Sequence, residues 1–470
     1  MRCDECSIFQ EKRAEDETGA PTSTPSSRLF PPQTSIAALP IELLAEIFEL
    51  VVIEGVVRHG FLETDCSVRP SSQAHKLGQV CAHWRRIAYG TPKLWNKAPI
   101  YVRLGTEELS PRHLAQLGAA LTRSEPLSIV VALKHAEGAD SDLVAALRDR
   151  IEEAVLPTTE RWRALSLTAP DLGSLARKSF PGLESLHLSG LAKQQDPIDQ
   201  FLGCSRLRMV RLQLRNTLDM TSVLLPWSRL TTLSLHESSL DVCSSILQLC
   251  TNLVTAQIFS KSYPAGASTV GAASIQTLPF LQNLEVNCQI PKESRDTTHL
   301  GAFLAPFAFP ALASLSLTFT RVFWRTEQIT ACLGRSPGID TLQLALPGHV
   351  SVQHVLEVIR CAPKLQSLSV SRKGHTDDAL MNALCVSSSP SSEDETGVPT
   401  VRLLRTLRLD CGFRLESLER LLQSRSGSTS SSLQHLYVYT GSCPGRRWVK
   451  QLRAMLKEFE EKGMKLHLEY

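Results

Sequence analysis

The sequence predicts an α+β chain in which a small N-terminal helical unit precedes a long, irregular α/β repeat array, strands parallel on the concave side and helices on the convex side. Three observations predict it. A six-residue pattern, apolar-x-x-apolar-x-apolar, recurs eleven times between residues 162 and 438. Helical stretches that are apolar on one side only lie between copies. Residues 36–100 instead show apolar residues at three- and four-residue spacing, with Trp84 and Trp95 eleven residues apart.

A chain of 470 residues exceeds one ordinary core and fits several units or an elongated array. Hydrophobic residues at 43% and charged residues at 21% are ordinary for a folded chain, which argues against wholesale disorder. The net charge of +3 is spread along the chain, a poor footprint for a nucleic-acid binder. The 13 cysteines are scattered and mostly embedded in apolar runs, so they read as small buried hydrophobes in a reducing, cytoplasmic or nuclear compartment. The opening "MRCDECSIFQEKRAEDE" has no apolar core segment, so no signal peptide is expected. Residues 300–320 carry no charge, yet Pro306, Pro310 and a copy of the repeat place them in a buried array rather than a bilayer.

Residues 1–35, rich in Glu, Ser, Thr and Pro, cannot bury enough apolar area to offset the entropy of ordering and read as a tail. Cys3 and Cys6 within it are half a metal site with no second half nearby. From residue 36, "LPIELLAEIFELV" places Pro40 at a first helical position, where its missing N–H costs nothing. Leu43, Leu44, Ile47, Phe48 and Val51 then form one apolar stripe, with Glu42, Glu46 and Glu49 off it. An insertion at about 54–74 intervenes. A second helix, around Leu77–Ala88, brings Val80, Cys81, Trp84 and Ile87 onto one face, and "KLWNKAPIYV" reads as a helical turn entering a strand. Residues 101–160 form a connecting strand and helix: "PLSIVVAL" alternates, and "DSDLVAALRDRIEEAVL" is amphipathic.

The array occupies 161–470. Its windows start at 162, 183, 207, 230, 253, 281, 312, 339, 365, 404 and 433. The fifth residues are Ser166, His187, Arg211, Ser234, Gln257, Glu285, Ser316, Gln343, Ser369, Arg408 and Tyr437, none of them aliphatic. A strand alternates faces, so the fourth and sixth residues point to a core and the fifth to solvent. Strand plus helix at a period of 20 to 30 residues is the signature of a leucine-rich-repeat solenoid, in which stacking buries what no single unit can. The asparagine of the usual consensus is missing throughout and the periods are uneven. Ser-rich stretches near 386–399 and 424–432 read as loops on a repeat edge. The C-terminal segment puts Trp448, Leu452, Leu456 and Phe459 on one helical face before "MKLHLEY", a closing repeat rather than a membrane-surface helix.

The strings "LPIELLAEIFELV" and "VCAHWRRIAYGTPKLWNKAPI" resemble an F-box. Leu39, Pro40, Glu42, Leu43, Leu44, Ile47 and Phe48 match its first half, and Val80, Cys81, Trp84, Ile87, Ala88, Leu94 and Trp95 its second. The "TPKLW" variant with a long stretch between the halves is similar to the large F-box sets of basidiomycete fungi. A unit this short cannot hide two tryptophans, Phe48 and its leucines internally, so apolar surface is left for a partner. The resemblance implies that this partner is the Skp-type adaptor of a cullin–RING ubiquitin ligase of the SCF type. The adaptor-binding set is then Leu39, Pro40, Leu43, Leu44, Ile47, Phe48, Val80, Trp84, Leu94 and Trp95; Trp84 reads as core, and Leu39, Pro40 and Leu44 as direct contacts. A compact F-box separates its halves by fewer residues, so the insertion bears on whether the adaptor still docks.

No P-loop, G-x-G-x-x-G, G-x-S-x-G or H-E-x-x-H string is present. His375, Asp377 and Asp378 read as a solvated loop with Asp at a helix start rather than a metal site. No enzyme, metal or cofactor is expected, and neither nucleic acid nor membrane as partner. The expected role is a substrate receptor that holds a protein target on the repeats, with His187, Arg211, Glu285, Arg408 and Tyr437 as candidate target contacts. The alternative is a repeat scaffold without ligase function.

Overall fold

The eleven windows become eleven strands of one sheet. In the computed structural model the described residues are 36, 39–58, 71–96, 100–104, 111–135, 153–168, 175, 178–190, 197–213, 223–260, 275–289, 303–320, 326–347, 350–385, 401, 403–426, 433–439 and 446–469. The chain divides into two units, Met1–Ile47 and Phe48–Tyr470, with the boundary inside the first helix.

Five helices precede or interrupt the first strands: α1 Ile41–Arg58, α2 Ser71–Val80, α3 Ala82–Gly90, α4 Lys93–Asn96 and, between the first two strands, α5 Pro111–Arg123. The strands are β1 Ile100–Leu104, β2 Ile129–His135, β3 Trp162–Thr168, β4 Ser185–Ser189, β5 Met209–Gln213, β6 Thr232–His236, β7 Thr255–Ser260 and β8 Gln276–Thr277. They continue as β9 Asn283–Gln289, β10 Phe307–Ala308, β11 Ser314–Thr320, β12 Thr341–Ala345, β13 Ser367–Thr376, β14 Thr406–Gly412, β15 His435–Tyr439 and β16 Lys465–Glu469. Later crossovers carry α6 Leu240–Leu249, α7 Thr326–Gly334, α8 Val352–Arg360, α9 Asp378–Ala383, α10 Leu415–Ser426 and α11 Arg446–Glu461.

Fourteen strands form a single parallel sheet in strict chain order; β8 and β10 make a separate two-stranded pair. The 101–160 segment is part of the same ladder, because β1 pairs with β2 and β2 with β3. In all eleven windows the first, fourth and sixth residues are at most 3% exposed. Each repeat thus contributes three apolar side chains to one continuous core, which neighbouring repeats cover.

The strand edge is held by backbone rather than by a side-chain ladder. In nine of the eleven windows the carbonyl of the second residue accepts two N–H groups of the next repeat: Glu184 O accepts from Arg208 N and Met209 N, both at 3.0 Å. The same arrangement recurs at Arg208 O, Thr231 O, Val254 O, Gln282 O, Ala313 O, Asp340 O, Gln366 O and Arg405 O.

Arginines satisfy carbonyls that the uneven repeat lengths leave inside. Arg335 donates to Ala305 O and Phe307 O, at 2.8 and 2.9 Å through Nη2. Buried Arg425 donates to Leu384 O and Val401 O at 2.7 and 3.0 Å through Nη2. Burial lowers its pKa to about 10, which still leaves it charged. Arg372 is buried with Asp377 as an ion pair and also donates to Val350 O.

Helical crossovers occur where expected at "LDVCSSILQLC", "TEQITACLG" and "SVQHVLEVIRC"; Ser239 and Ser351 cap α6 and α8 by accepting Val242 N and His354 N. Between β3 and β6, however, the described connections are turns, 3-10 structure at Leu175 and Trp227–Arg229, and an isolated bridge between Ile198 and Val223. The C-terminal helix buries Leu452, Leu456 and Phe459, with Trp448 against Phe413 at 5.5 Å, and β16 extends the sheet. Leu304, Phe307, Phe309 and Leu312 of the uncharged 300–320 stretch are core residues. Among the described residues no helix is long and apolar enough to cross a membrane. Ser424–Ser426 close α10 rather than opening the Ser-rich loop. The 1–35 tail with Cys3 and Cys6, residues 59–70 of the insertion, 141–152 of the amphipathic helix, and the loops at 386–399 and 427–432 lie outside the described residues.

Candidate functional site

Helix α1 carries apolar side chains on two faces, and the structure separates them. Leu44, Phe48 and Val52, four residues apart, are buried. Leu43, Ile47, Leu50 and Val51 are exposed, at 47%, 40%, 67% and 43%. The single stripe expected from spacing is therefore two stripes, one facing protein and one facing solvent. Leu44 sits on the buried one, so the expectation that it makes direct contact is corrected: a fully enclosed side chain has no surface to offer. The same holds for Phe48, Leu94 and Trp95, which are core. Pro40 is exposed and Leu39 half-buried, and Leu44 N donates to Pro40 O at 3.1 Å to start the helix.

The helix expected over 77–88 is two helices. Cys81 breaks it in extended backbone and caps α3, its Sγ accepting from Trp84 N at 3.5 Å. The break leaves Val80 exposed while Ile87 is buried, so these two do not share a face. Trp84 packs on Phe48 with ring centroids 4.8 Å apart but stays half-buried, so it lies at the edge of the core rather than within it. Trp95 Nε1 donates to Ala88 O at 2.8 Å and Arg85 Nε to Gly78 O at 2.8 Å, tying α2, α3 and α4 together. Gly78 lets the Tyr89 ring approach closely: a Cβ there would sit 2.8 Å from it and force the ring to shift. The Arg123 guanidinium lies 3.8 Å from the Tyr89 ring centroid and 4.7 Å from that of Trp95, joining α5 to the α3–α4 turn.

The second surface is the open side of the sheet. Register places Ser166, His187, Arg211, Ser234, Gln257, Glu285, Ser316, Gln343, Ser369, Arg408 and Tyr437 side by side in one row, which His467 of β16 extends. All five candidate target contacts thus lie in that row, though at different ends. Near β3–β9 the polar groups engage each other. Ser166 Oγ and His187 Nδ1 share a hydrogen bond of 3.0 Å, Ser234 Oγ and His236 Nε2 one of 2.9 Å, and Gln257 Nε2 donates to Glu285 at 3.0 Å. Burial, with Arg211 and His236 adding repulsion, holds His187 at about 4, so it is neutral at physiological pH. His236 stacks on Phe259 at 4.4 Å.

Near β14–β16 the row is larger and more exposed. Tyr437 stacks on His467 with centroids 4.4 Å apart and planes 10° from parallel. The Arg408 guanidinium lies 6.0 Å from the Tyr437 centroid on the other strand. His236, Phe259 and His467 escaped the sequence reading because only the fifth window position was followed. Carrying the alternation two residues further, and one repeat past the last window, locates them.

The solvated loop expected at His375, Asp377 and Asp378 is corrected: His375 lies in β13, and Asp377, before α9, is buried and pairs with Arg372 rather than capping the helix, while Asp378 Oδ1 accepts from Arg414 N at 2.8 Å. Among the described residues no group of three His, Cys, Asp or Glu is placed to hold a metal. Burial pushes the thiols of Cys204 and Cys332 up to about 11 and Cys250 to about 12, consistent with their role as small core residues. No protein-family model matches the chain, and no curated protein matches it.

Proposed function

We propose that this chain is an F-box substrate-receptor subunit of a cullin–RING ubiquitin ligase. Its N-terminal helices dock on a Skp-type adaptor, and the strand array, a leucine-rich-repeat solenoid, holds a protein target. The observation that carries the reading is the solvent-facing stripe Leu43–Ile47–Leu50–Val51 on the helix that bears the F-box-like motif. Of the fourteen large apolar side chains exposed among the described residues, seven fall between Ile36 and Val80. That concentration is what an obligate partner surface needs and an isolated helical unit does not. No residue of the chain makes or breaks a bond in this reading. Its contribution is to raise the effective concentration of target lysines beside the charged ubiquitin carrier.

Co-purification with a fungal Skp-type adaptor tests it, comparing the intact chain with Leu43→Asp/Ile47→Asp and with Leu39→Ala/Pro40→Ala. Two lost apolar contacts at roughly 1.5 kcal/mol or more each weaken binding by about a hundredfold or more in the first variant. An intact, folded chain that retains no adaptor leaves the repeat scaffold as the function.

A further inference from the structure

The sheet stops at β16, and among the described residues no strand lies beyond it. The loss of one neighbour is visible in its apolar side chains. Leu436 and Val438 of β15 are fully enclosed, whereas Leu466 and Leu468, paired with them in register, are only partly buried. The backbone shows which groups the open edge presents. Lys465 N donates to Gln434 O at 2.8 Å, so residues 465 and 467 turn their N–H and C=O groups toward β15. Those of Leu466 and Leu468 then point the other way, along an edge that is a template for one more strand.

We propose that β16 pairs antiparallel with β16 of a second copy, about a two-fold axis at His467, joining two sheets edge to edge. Antiparallel strands exchange both backbone bonds at alternate positions. The free N–H and C=O groups of Leu466 meet those of Leu468 in the other copy, and the reverse, while His467 faces His467 between them. This register engages all five residues of the strand, Lys465–Glu469. It also sets Lys465 opposite Glu469 twice, so "KLHLE" is charge-complementary to its own reverse. A shift in either direction loses both Lys–Glu pairs. Charges on an edge strand ordinarily hinder pairing, and here their symmetric placement favours the strand's own reverse. Directly opposite residues share a face, so Leu466 and Leu468 gain the apolar neighbour that every inner strand already has. The other edge of the sheet lacks this symmetry: in β1, "IYVRL", self-pairing about the centre puts Arg103 opposite Tyr101. A contact of one strand with its own copy closes on itself, so the assembly is a dimer.

Sedimentation equilibrium of the untagged full-length protein tests it, over roughly 1–100 μM, the range of weak contacts. The protein is expected to pass from monomer to dimer and no further. Lys465→Glu and Glu469→Lys each raise the dimer dissociation constant about fivefold or more, because each sets like charges opposite one another twice. The double variant Lys465→Glu/Glu469→Lys, which exchanges the two charges, restores it to within about twofold. An equimolar mixture of the two single variants also restores dimer, since each copy then meets its opposite. Thermal melts confirm that all variants remain folded. A protein that stays monomeric overturns the proposal, as do single variants that dimerise like the intact chain or a double variant as weak as the singles. Association that grows past the dimer overturns it in favour of a head-to-tail contact of β16 on β1. Association lost in Leu43→Asp/Ile47→Asp and untouched by the edge variants overturns it in favour of the apolar stripe of α1. The experiment uses no adaptor, so its outcome and that of the ligase reading are independent.

Discussion

The N-terminal helices and the strand ladder use similar apolar side chains to opposite ends. In the ladder, Leu344 of β12 is enclosed by its own repeat and the two beside it. On α1, Leu50 is as apolar and 67% exposed. The difference lies in what stands next to each. The array gives each strand between β1 and β16 a similar neighbour on both sides, so its apolar rows are covered by repetition. A short helical segment has no such neighbours, and once Leu44, Phe48 and Val52 take the inward face, the remaining apolar residues are left facing solvent. Exposed apolar surface in this chain is therefore concentrated where repetition stops.

Stability measurements can break that contrast. Leu344→Ala opens a cavity between repeats and costs about 2–5 kcal/mol, read as a lower denaturant midpoint, whereas Leu50→Ala stays within about 0.5 kcal/mol. Equal losses at the two sites mean that Leu50 is packed in solution and that α1 has no free apolar face. A smaller effect comes from the open side of the ladder. His187 is held at about 4 against an ordinary 6.5, so it stays neutral in the fold while the unfolded chain takes up a proton. Its stability contribution is complete above pH 6.5 and falls by about 1–3 kcal/mol as pH drops toward 4. His187→Asn flattens the stability profile in that window; an unchanged profile shows that His187 is solvated and the row looser than the structure shows. The smallest effect is at the helix starts of the ladder. Ser351→Ala removes the cap on His354 N and lowers stability by about 1 kcal/mol, measured by thermal melt.

The ladder was readable in advance because its rule is local. Leu342, Gln343 and Leu344 alternate in any strand, and the requirement that eleven such strands cover one another leaves only one way to stack them in chain order. The two faces of α1 were not readable in the same way. Leu43 and Leu44 are equally apolar, adjacent in sequence and about 100° apart around the helix. Spacing shows that both stripes exist, and only the position of Phe48 against Trp84 settles which one is inward. The break at Cys81 escaped for a related reason: a cysteine is not a common helix cap, and its thiol takes that role only because Trp84 N comes within reach. His467 falls outside every window, and its meeting with Tyr437 depends on β16 joining the sheet in register.

By itself the sequence determined the positions of the eleven window strands, the inward and outward residues of each repeat, and a helix from residue 41 and helical character near 77–88, since all of these follow from period and propensity over a few residues. Only the tertiary structure decided which apolar stripe of α1 faces solvent and which polar residues of the open face are bonded to each other. It also decided that Arg335 and Arg425, rather than asparagines, satisfy the carbonyls between uneven repeats. Most of those outcomes depend on groups more than 20 residues apart coming into contact, as Phe48 with Trp84, Gln257 with Glu285 and Arg425 with Leu384 do, and no local pattern encodes such a meeting.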